Sequence, residues 1–481
     1  MSAATPPKAS VHFRSLGCAK NLLDTEVMLG TLATRGYALA ERLEDADVAV
    51  VNTCSFIDSA REESVQAILE VADLRESGQL RGLVVTGCMP QRYGAALAKE
   101  LPEVDAFVGT GAFHQIADIL DDALAGRGRG VYVEAGHTHL YDERAPRILT
   151  GAGHSAYVKI AEGCDRVCAF CAIPGIRGRF QSRRPESVVA EVEQLARLGV
   201  REINLVAQDS TSYGKDLAPA AGAGRTKLAD LVRVLDRVDA PLWIRLLYLY
   251  PSAVSEDLID ALAASKRVLP YVDVPLQHAS DSVLAAMKRG TTADRQRKLV
   301  EKLRAAIPNL TLRTTFIVGF PGESDADFAE LLELVRWARF DRVGVFRYSD
   351  EEGTAGCELP NKVPRKLARE RYRALKQLQA RVLAEKLGSR VGEEALALVD
   401  APLGRERDGR ERAQARLASQ APEIDGVTFV RGKALRAGDL VRVRLTGVKQ
   451  GVDLEADALE VALPAAQRAA AAPGLGAVAA R

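Results

Sequence analysis

Three cysteines, Cys164, Cys168 and Cys171, stand in the run EGCDRVCAFCAIP at residues 162–174, spaced C-x3-C-x2-C. Three thiolates in one short loop suit an iron–sulfur cluster. A cubane needs four ligands, so three from the protein leave one iron open to a substrate or cofactor. A zinc knuckle wants a fourth Cys or His close by, and the next His downstream is the distant His278. A disulfide framework fits poorly with an odd number of cysteines. It also fits poorly with a start, MSAATPPKAS, that lacks the apolar core of a secretory signal. Buried structural cysteines are the plainest alternative.

Three more cysteines, Cys18, Cys54 and Cys88, lie 36 and 34 residues apart. Each falls at the C-terminal end of a predicted strand: one over 11–15, and two apolar runs that end at Cys54 and Cys88. In a parallel sheet those ends share one edge, where open α/β sheets bind ligands. Thiols far apart in sequence can therefore converge. Gly17 and Gly87 allow tight turns beside a bulky cofactor. Any one of these cysteines alone reads as a small buried hydrophobe; three at equivalent places in successive β-α units read as a second cluster site. The seventh, Cys357, has no companions and reads as structural.

Positioning two such sites takes at least two α/β units. Helices are predicted over 22–35, stopping at Gly36, and over 59–77, alternating with the strands that carry Cys18, Cys54 and Cys88. From 155 to 376 the alternation continues. Strands are predicted over 156–160, 202–207, 242–248, 271–276, 312–319 and 342–348, separated by helical segments such as 185–198 and 325–338. Six β-α units fit a partial barrel open on one side. Its cysteine loop follows the first strand, which puts the site at the C-terminal mouth. A basic amphipathic helix over 366–387 leads out of it. After Gly388 short β-like runs at 394–399, 426–430, 439–448 and 452–461 predict a small β-barrel. The fold class is α/β, a parallel-sheet cluster domain and a partial (β/α)6 barrel followed by an all-β module. The expected boundaries are a disordered tail over 1–10 and domains over 11–150, 151–380 and 381–463. A disordered Ala-rich tail is expected over 464–481.

The composition is that of a soluble globular chain of 481 residues, 47% hydrophobic and 27% charged. No apolar run approaches the ~20 residues a membrane span needs. Seven cysteines without an export signal imply a reducing, cytoplasmic setting. The 65 basic and 64 acidic residues leave a net charge of +1, which argues against DNA or general nucleic-acid binding by the chain as a whole.

The C-x3-C-x2-C triad resembles that of the radical S-adenosylmethionine (SAM) enzymes. Two three-cysteine sites on one chain narrow the resemblance to the radical SAM methylthiotransferases, over most of the length from Val11 to Val461. That family is built as a cluster domain, a radical SAM barrel and a C-terminal TRAM β-domain. The run SLGCAKNLLDTE at 15–26, with Lys20 and Asn21 after the first cysteine, resembles the branch acting on an aspartate of small-subunit ribosomal protein S twelve. So does QAPEIDGVTF at 420–429. Ala19 departs from a proline common in relatives. The other branch modifies adenosine in tRNA and is the alternative. From Gly388 to Pro464 there are 12 basic against 13 acidic residues, a balance better suited to docking a basic protein than RNA.

The resemblance implies two [4Fe–4S] clusters, one on Cys18, Cys54 and Cys88 and one on Cys164, Cys168 and Cys171. It also implies SAM as cosubstrate and a flavodoxin- or ferredoxin-type electron donor. No side chain need act as acid or base, because the bond broken is homolytic. Phe170 is expected against the adenine. Gln208 and Asp209 are expected at the amino group or ribose of SAM, or else as a capped turn. Gly319 and Gly322 are expected near the adenine, with Glu323, or else as part of a helix cap. Asp273, Gln277 and His278 are pocket candidates. Arg177, Arg179, Arg183 and Arg184 pair with substrate or SAM, or form a solvated basic face.

Overall fold

The computed structural model describes residues 6–127, 129–134, 136, 139–219, 224–405 and 409–465. The tails expected over 1–10 and 464–481 lie mostly outside the described residues. Their inner ends do not behave as tails. Ser10 opens the first strand, and the Lys8 ammonium pairs with Asp121 at 2.9 Å. At the other end the Ala465 amide donates to Asp439 at 2.6 Å.

The N-terminal unit is a six-stranded, all-parallel sheet. In spatial order its strands are Ala38–Leu39, Ser10–Ser15, Val48–Thr53, Gly82–Gly87, Ala106–Val108 and Gly130–Tyr132. The strands Val48–Thr53 and Gly82–Gly87 are buried at every residue, because helices cover both faces, as a parallel sheet requires. Three adjacent strands end in register, Ser15 opposite Asn52 and Thr53 opposite Gly87. Their C-terminal ends thus form one ledge.

The second sheet holds six parallel strands in sequential order: Ser155–Lys159, Glu202–Val206, Trp243–Leu246, Val268–Asp273, Thr311–Val318 and Arg342–Arg347. It curls but stays open between its first and last members. Alternation sends Val158, Ile203, Leu205, Ile244, Leu246, Val272, Leu312 and Phe316 outward under the helices. The opposite set, including Tyr157, Val206, Leu247, Tyr248 and Tyr271, joins one cluster with Leu23, Val27 and Phe113 of the N-terminal unit and Ala421 of the C-terminal one. All three units therefore share a core inside the open barrel.

The helix Arg365–Ser389 runs unbroken across the expected boundary at 380. Its first half packs on the barrel through Leu375, and its last turns pack on the C-terminal module through Leu383 and Leu387. That module is a closed five-stranded barrel. One strand, Glu411–Leu417, has no counterpart in the sequence-based prediction. Its alternation is hidden because small alanines, Ala413 and Ala415, supply the inward face.

The module docks by buried charge. Glu202, fully buried at the start of its strand, accepts from Arg245 at 3.1 Å and from Arg416 at 2.7 Å. Arg416 also pairs with Asp400 at 2.9 Å, which His154 contacts at 2.9 Å. Arg245 donates to the carbonyls of Ala418 and Gln420, and Tyr271 donates to Asp425. The 420–429 run thus fastens the module to the barrel.

Candidate iron–sulfur site

Cys18 caps the helix Ala19–Thr34, Cys54 follows its strand directly, and Cys88 opens the helix Cys88–Glu100. All three stand on the ledge of strand ends. Gly17, at φ +92°, lies so close to Cys54 that a Cβ there would meet its Cβ at 2.8 Å. Gly87, at φ +101°, would carry a Cβ 2.3 Å from Asn52 Oδ1 and 2.6 Å from the Thr53 carbonyl. Both positions demand glycine. The Cys54 backbone is held from both sides by Ser64 Oγ, and Asn21 Nδ2 donates to the Thr53 carbonyl at 2.9 Å. Burial and the neighbouring Cys88 push the Cys54 thiol up to about 12. Burial likewise raises Cys88, against the pull of Arg177.

Cys164, Cys168 and Cys171 line one cleft of about 620 Å³, which Gln91 and Arg92 of the N-terminal unit also line. Gly163, at φ +78°, packs against the Arg179 carbonyl so closely that a Cβ would stand 2.1 Å from it. The loop is tied by Ala169 N to Met287 O at 3.0 Å and Gly356 N to Ala169 O at 2.6 Å. Burial raises Cys164 to about 11 and Cys171 to about 12, with the other thiols of the triad adding to the shift. Cys54, Cys88, Cys164 and Cys171 are thus held as thiols that must lose protons as metal binds. Among the described residues no three His, Cys, Asp or Glu side chains close around a single ion. Three thiols at each site would suit a cubane with one iron left open, whereas a structural zinc takes a fourth Cys or His.

A buried ionic network joins the two triads. Lys159 pairs with Asp24 at 2.6 Å and Glu162 at 2.5 Å; Arg177 pairs with Asp24 at 2.7 Å and Glu162 at 3.3 Å. Arg177 also donates to Asn21 Oδ1 and stands 3.5 Å from Cys88 Sγ. Burial opposes ionisation of Glu162, but Lys159 and Arg177 outweigh it and hold its carboxyl well below the usual range. Around the second triad, Arg289 donates to Cys168 Sγ at 3.4 Å. A latch closes the far edge of the open barrel: the buried Glu351 accepts from Arg61 at 2.8 Å and Arg92 at 2.7 Å. Arg92 also donates to the Ser55 carbonyl, next to Cys54.

Several residues expected near SAM have partners within the protein. Gln208 Nε2 donates to Glu162, and Asp209 accepts from Arg166 and Ser212, each at 2.7 Å. These groups brace the cysteine loop, and among the described residues Gln208 Oε1 has no hydrogen-bond partner. Glu323 accepts the Gly319 and Phe320 amides and pairs with Arg371 at 3.1 Å. A Cβ at Gly319 would stand 2.6 Å from Ala368. This segment seats the long connecting helix, and Ser324 with Asp327 forms a capping box, the alternative the sequence offered. Gly322, at φ +83°, has no neighbour within 4 Å of a built Cβ.

Arg177 and Arg183 are buried in ion pairs, whereas Arg179 and Arg184 are exposed. His278 is fully buried, takes the Ser280 amide on Nδ1 and leaves Nε2 unpartnered. Asp273 pairs with Arg313 at 2.7 Å. Cys357 is half-buried, and its neighbour Gly356 donates its amide to the Ala169 carbonyl inside the cysteine loop. Phe170 and Gln277 line a cavity of about 120 Å³ together with Phe56 and Ile57, which follow Cys54. Arg289, Glu351 and the Asp24–Lys159 pair had no sequence signal, since each gains its meaning from a partner more than a hundred residues away.

Comparison with known proteins matches this layout. Residues 10–109 match the uncharacterized protein family UPF0004, residues 158–335 the radical SAM superfamily and residues 391–459 the TRAM domain. The chain is 48% identical over 437 residues to ribosomal protein uS12 methylthiotransferase RimO of Sorangium cellulosum, covering 91% of this chain and 88% of that one. It is 46% identical over 442 residues to the protein of the same name from Myxococcus xanthus, covering 92% and 90%. Among solved structures, the radical SAM methyltransferase TsrM from Kitasatospora setae shares the fold. The TM-score is 0.52 at 18% identity, over 70% of this chain and 72% of that one. On the strength of the full-length likeness, the chain belongs to the family of ribosomal protein uS12 methylthiotransferases.

Proposed function

We propose that this chain replaces a hydrogen on the β-carbon of an aspartate in ribosomal protein uS12 with a methylthio group. The observation that carries the reading is the pair of three-thiol sites on two units held together by the Asp24–Lys159–Glu162–Arg177 network, in which Arg177 reaches Cys88 Sγ and Glu162 stands two residues before Cys164. When bound, a [4Fe–4S] cluster with SAM at one site supplies a 5′-deoxyadenosyl radical, and a second cluster supplies the sulfur that a further SAM methylates.

The protein's own part is to bind and position. Cys164, Cys168 and Cys171 would hold the radical-forming cluster, and Cys18, Cys54 and Cys88 the sulfur-bearing one. Arg289 and Arg177 supply N–H donors to one sulfur of each triad, a contact that tunes cluster potential. Phe170 of the cysteine loop and Phe56 and Ile57, which follow Cys54, line one cavity. SAM contacts from Gln208, Asp209, Gly319 and Glu323 would need their present partners to yield. No acid–base side chain is required, because the C–H bond breaks homolytically. An external one-electron donor of the flavodoxin or ferredoxin type would reduce the cluster, in the cytoplasm where ribosomes are made. Among the described residues, no helix is long and apolar enough to cross a membrane.

The C-terminal module bears on the tRNA alternative. Its 12 basic residues already face 13 acidic ones, and Arg416 is consumed by Glu202 and Asp400. Little net positive charge remains to hold RNA. Anaerobically reconstituted protein, reduced in the presence of SAM and offered uS12 and tRNA in parallel, should add a methylthio group to uS12. Addition to tRNA alone overturns the reading.

A further inference from the structure

Lys20 sits in the first turn of the helix that Cys18 caps, two residues beyond that thiol. It is only 7% exposed. Among the described residues its ammonium makes no hydrogen bond and no ion pair; it stands 3.3 Å from the centroid of the Tyr248 ring. This placement opposes elementary electrostatics. A helix N-terminus carries partial positive charge and favours anions, yet this first turn has no acidic residue and no side-chain cap. A buried cation normally has a carboxylate partner.

The aromatic seat is itself built with effort. Tyr248 is a non-glycine residue at φ +63°, a left-handed conformation that costs free energy and needs surrounding structure to hold it. That structure is present. Asp273 accepts the Tyr248 amide at 3.1 Å while paired with Arg313, and Ser210 donates its amide to the Tyr248 carbonyl at 3.0 Å. The left-handed backbone recurs after the next strand at Gln277, φ +73°, whose buried Oε1 has no hydrogen-bond partner among the described residues.

The geometry points to Lys20 as the residue that binds the side-chain carboxylate of the substrate aspartate. An ammonium and an uncapped helix N-terminus together form a carboxylate site. In aspartate the β-carbon is bonded directly to that carboxylate. Anchoring the carboxylate beside Cys18 therefore sets the carbon to be sulfurated next to the sulfur-bearing triad. A neutral nucleobase offers no such anion, so Lys20 would also select protein over RNA. This role rests on the functional reading above.

The test uses full-length, reconstituted enzyme with SAM, and uS12 carrying either the target aspartate or asparagine in its place. Product formation by the wild type on intact uS12 is measured first. Its absence overturns the functional reading and the role of Lys20 with it. Affinity is then measured for both forms of uS12. The wild type should prefer aspartate by roughly tenfold or more, the range of a charge-assisted hydrogen bond. Lys20→Gln should bring the ratio close to one, and Lys20→Arg should keep most of it. Unliganded Lys20→Gln should be at least as stable as the wild type, because no partner is orphaned. Product formation with an unchanged ratio in Lys20→Gln, or a marked loss of unliganded stability, overturns the role of Lys20 alone.

Discussion

Removing the Arg177 guanidinium should loosen the seam between the N-terminal unit and the barrel. Arg177, Lys159, Asp24 and Glu162 have side chains at most 5% exposed, and as two cations against two carboxylates they are neutral together. Arg177→Ala leaves Asp24 and Glu162 facing one ammonium, a buried excess negative charge. It also takes the donor from Asn21 Oδ1 and Cys88 Sγ. Breaking a buried pair by deleting one partner costs about 3–5 kcal/mol. Arg177→Lys keeps the charge, but a single ammonium cannot reach four acceptors on three elements, so the loss is about 1–2 kcal/mol.

The cost falls on the interface rather than on the whole chain, and a three-unit protein has no single unfolding free energy. Hydrogen exchange reads it locally. Amides of the helix Ala19–Thr34 and the strand Ser155–Lys159 should exchange roughly a hundredfold to a few thousandfold faster in Arg177→Ala, with a smaller change in Arg177→Lys. Amides of the C-terminal barrel serve as internal control and should not change. Unaltered exchange at the seam in a folded, soluble Arg177→Ala protein refutes the reasoning.

Other expectations follow from the same structure. Gly163→Ala would drive a Cβ into the Arg179 carbonyl. It should cut reconstituted iron from about eight to about four per chain, measured by metal analysis. Gly87→Ala should remove the other half by the same assay, since its Cβ would strike Asn52 and Thr53. Glu351→Gln weakens the latch to Arg61 and Arg92 by about 2 kcal/mol, seen as faster proteolysis at 55–61 with unchanged proteolysis of the C-terminal module. His278 is buried with its pKa lowered from 6.5 to about 4, mainly by burial. Between pH 6.5 and 4 the unfolded chain therefore binds the extra proton. This contribution is present above pH 6.5 and is lost as pH falls, by roughly 3 kcal/mol at full extent. Urea denaturation monitored on the barrel should show that slope in the wild type and a shallower one in His278→Gln.

Much of this was legible from residue types alone. The triad at Cys164, Cys168 and Cys171 is local, so spacing sufficed. The triad at Cys18, Cys54 and Cys88 is not local, yet three strands, two of them wholly buried, are each followed closely by a cysteine, and the register sets their ends on one ledge. All six barrel strands were visible because alternate residues are apolar and helices punctuate them. The short strands Ala106–Val108 and Gly130–Tyr132 were too brief to carry a period. Polar residues are harder to place from sequence. Gln208, Asp209 and Glu323 look like ligand groups in one dimension, but a carboxylate beside a mouth can equally be bound by Arg166 or Arg371. Only partners distant in sequence decide between these uses. Conversely Lys20, which the sequence marks only as one of a pair after a cysteine, became informative through what it lacks.

The most direct measurement of the central claim uses uS12 labelled with deuterium on the β-carbon of its aspartates. The reconstituted enzyme is reduced with SAM under anaerobic conditions, and both products are examined by mass spectrometry. The account predicts deuterium in the 5′-deoxyadenosine formed. It also predicts that a methylthio group replaces one deuterium on a single aspartate. 5′-Deoxyadenosine without deuterium, or a methylthio group on any other residue or on RNA, would contradict it.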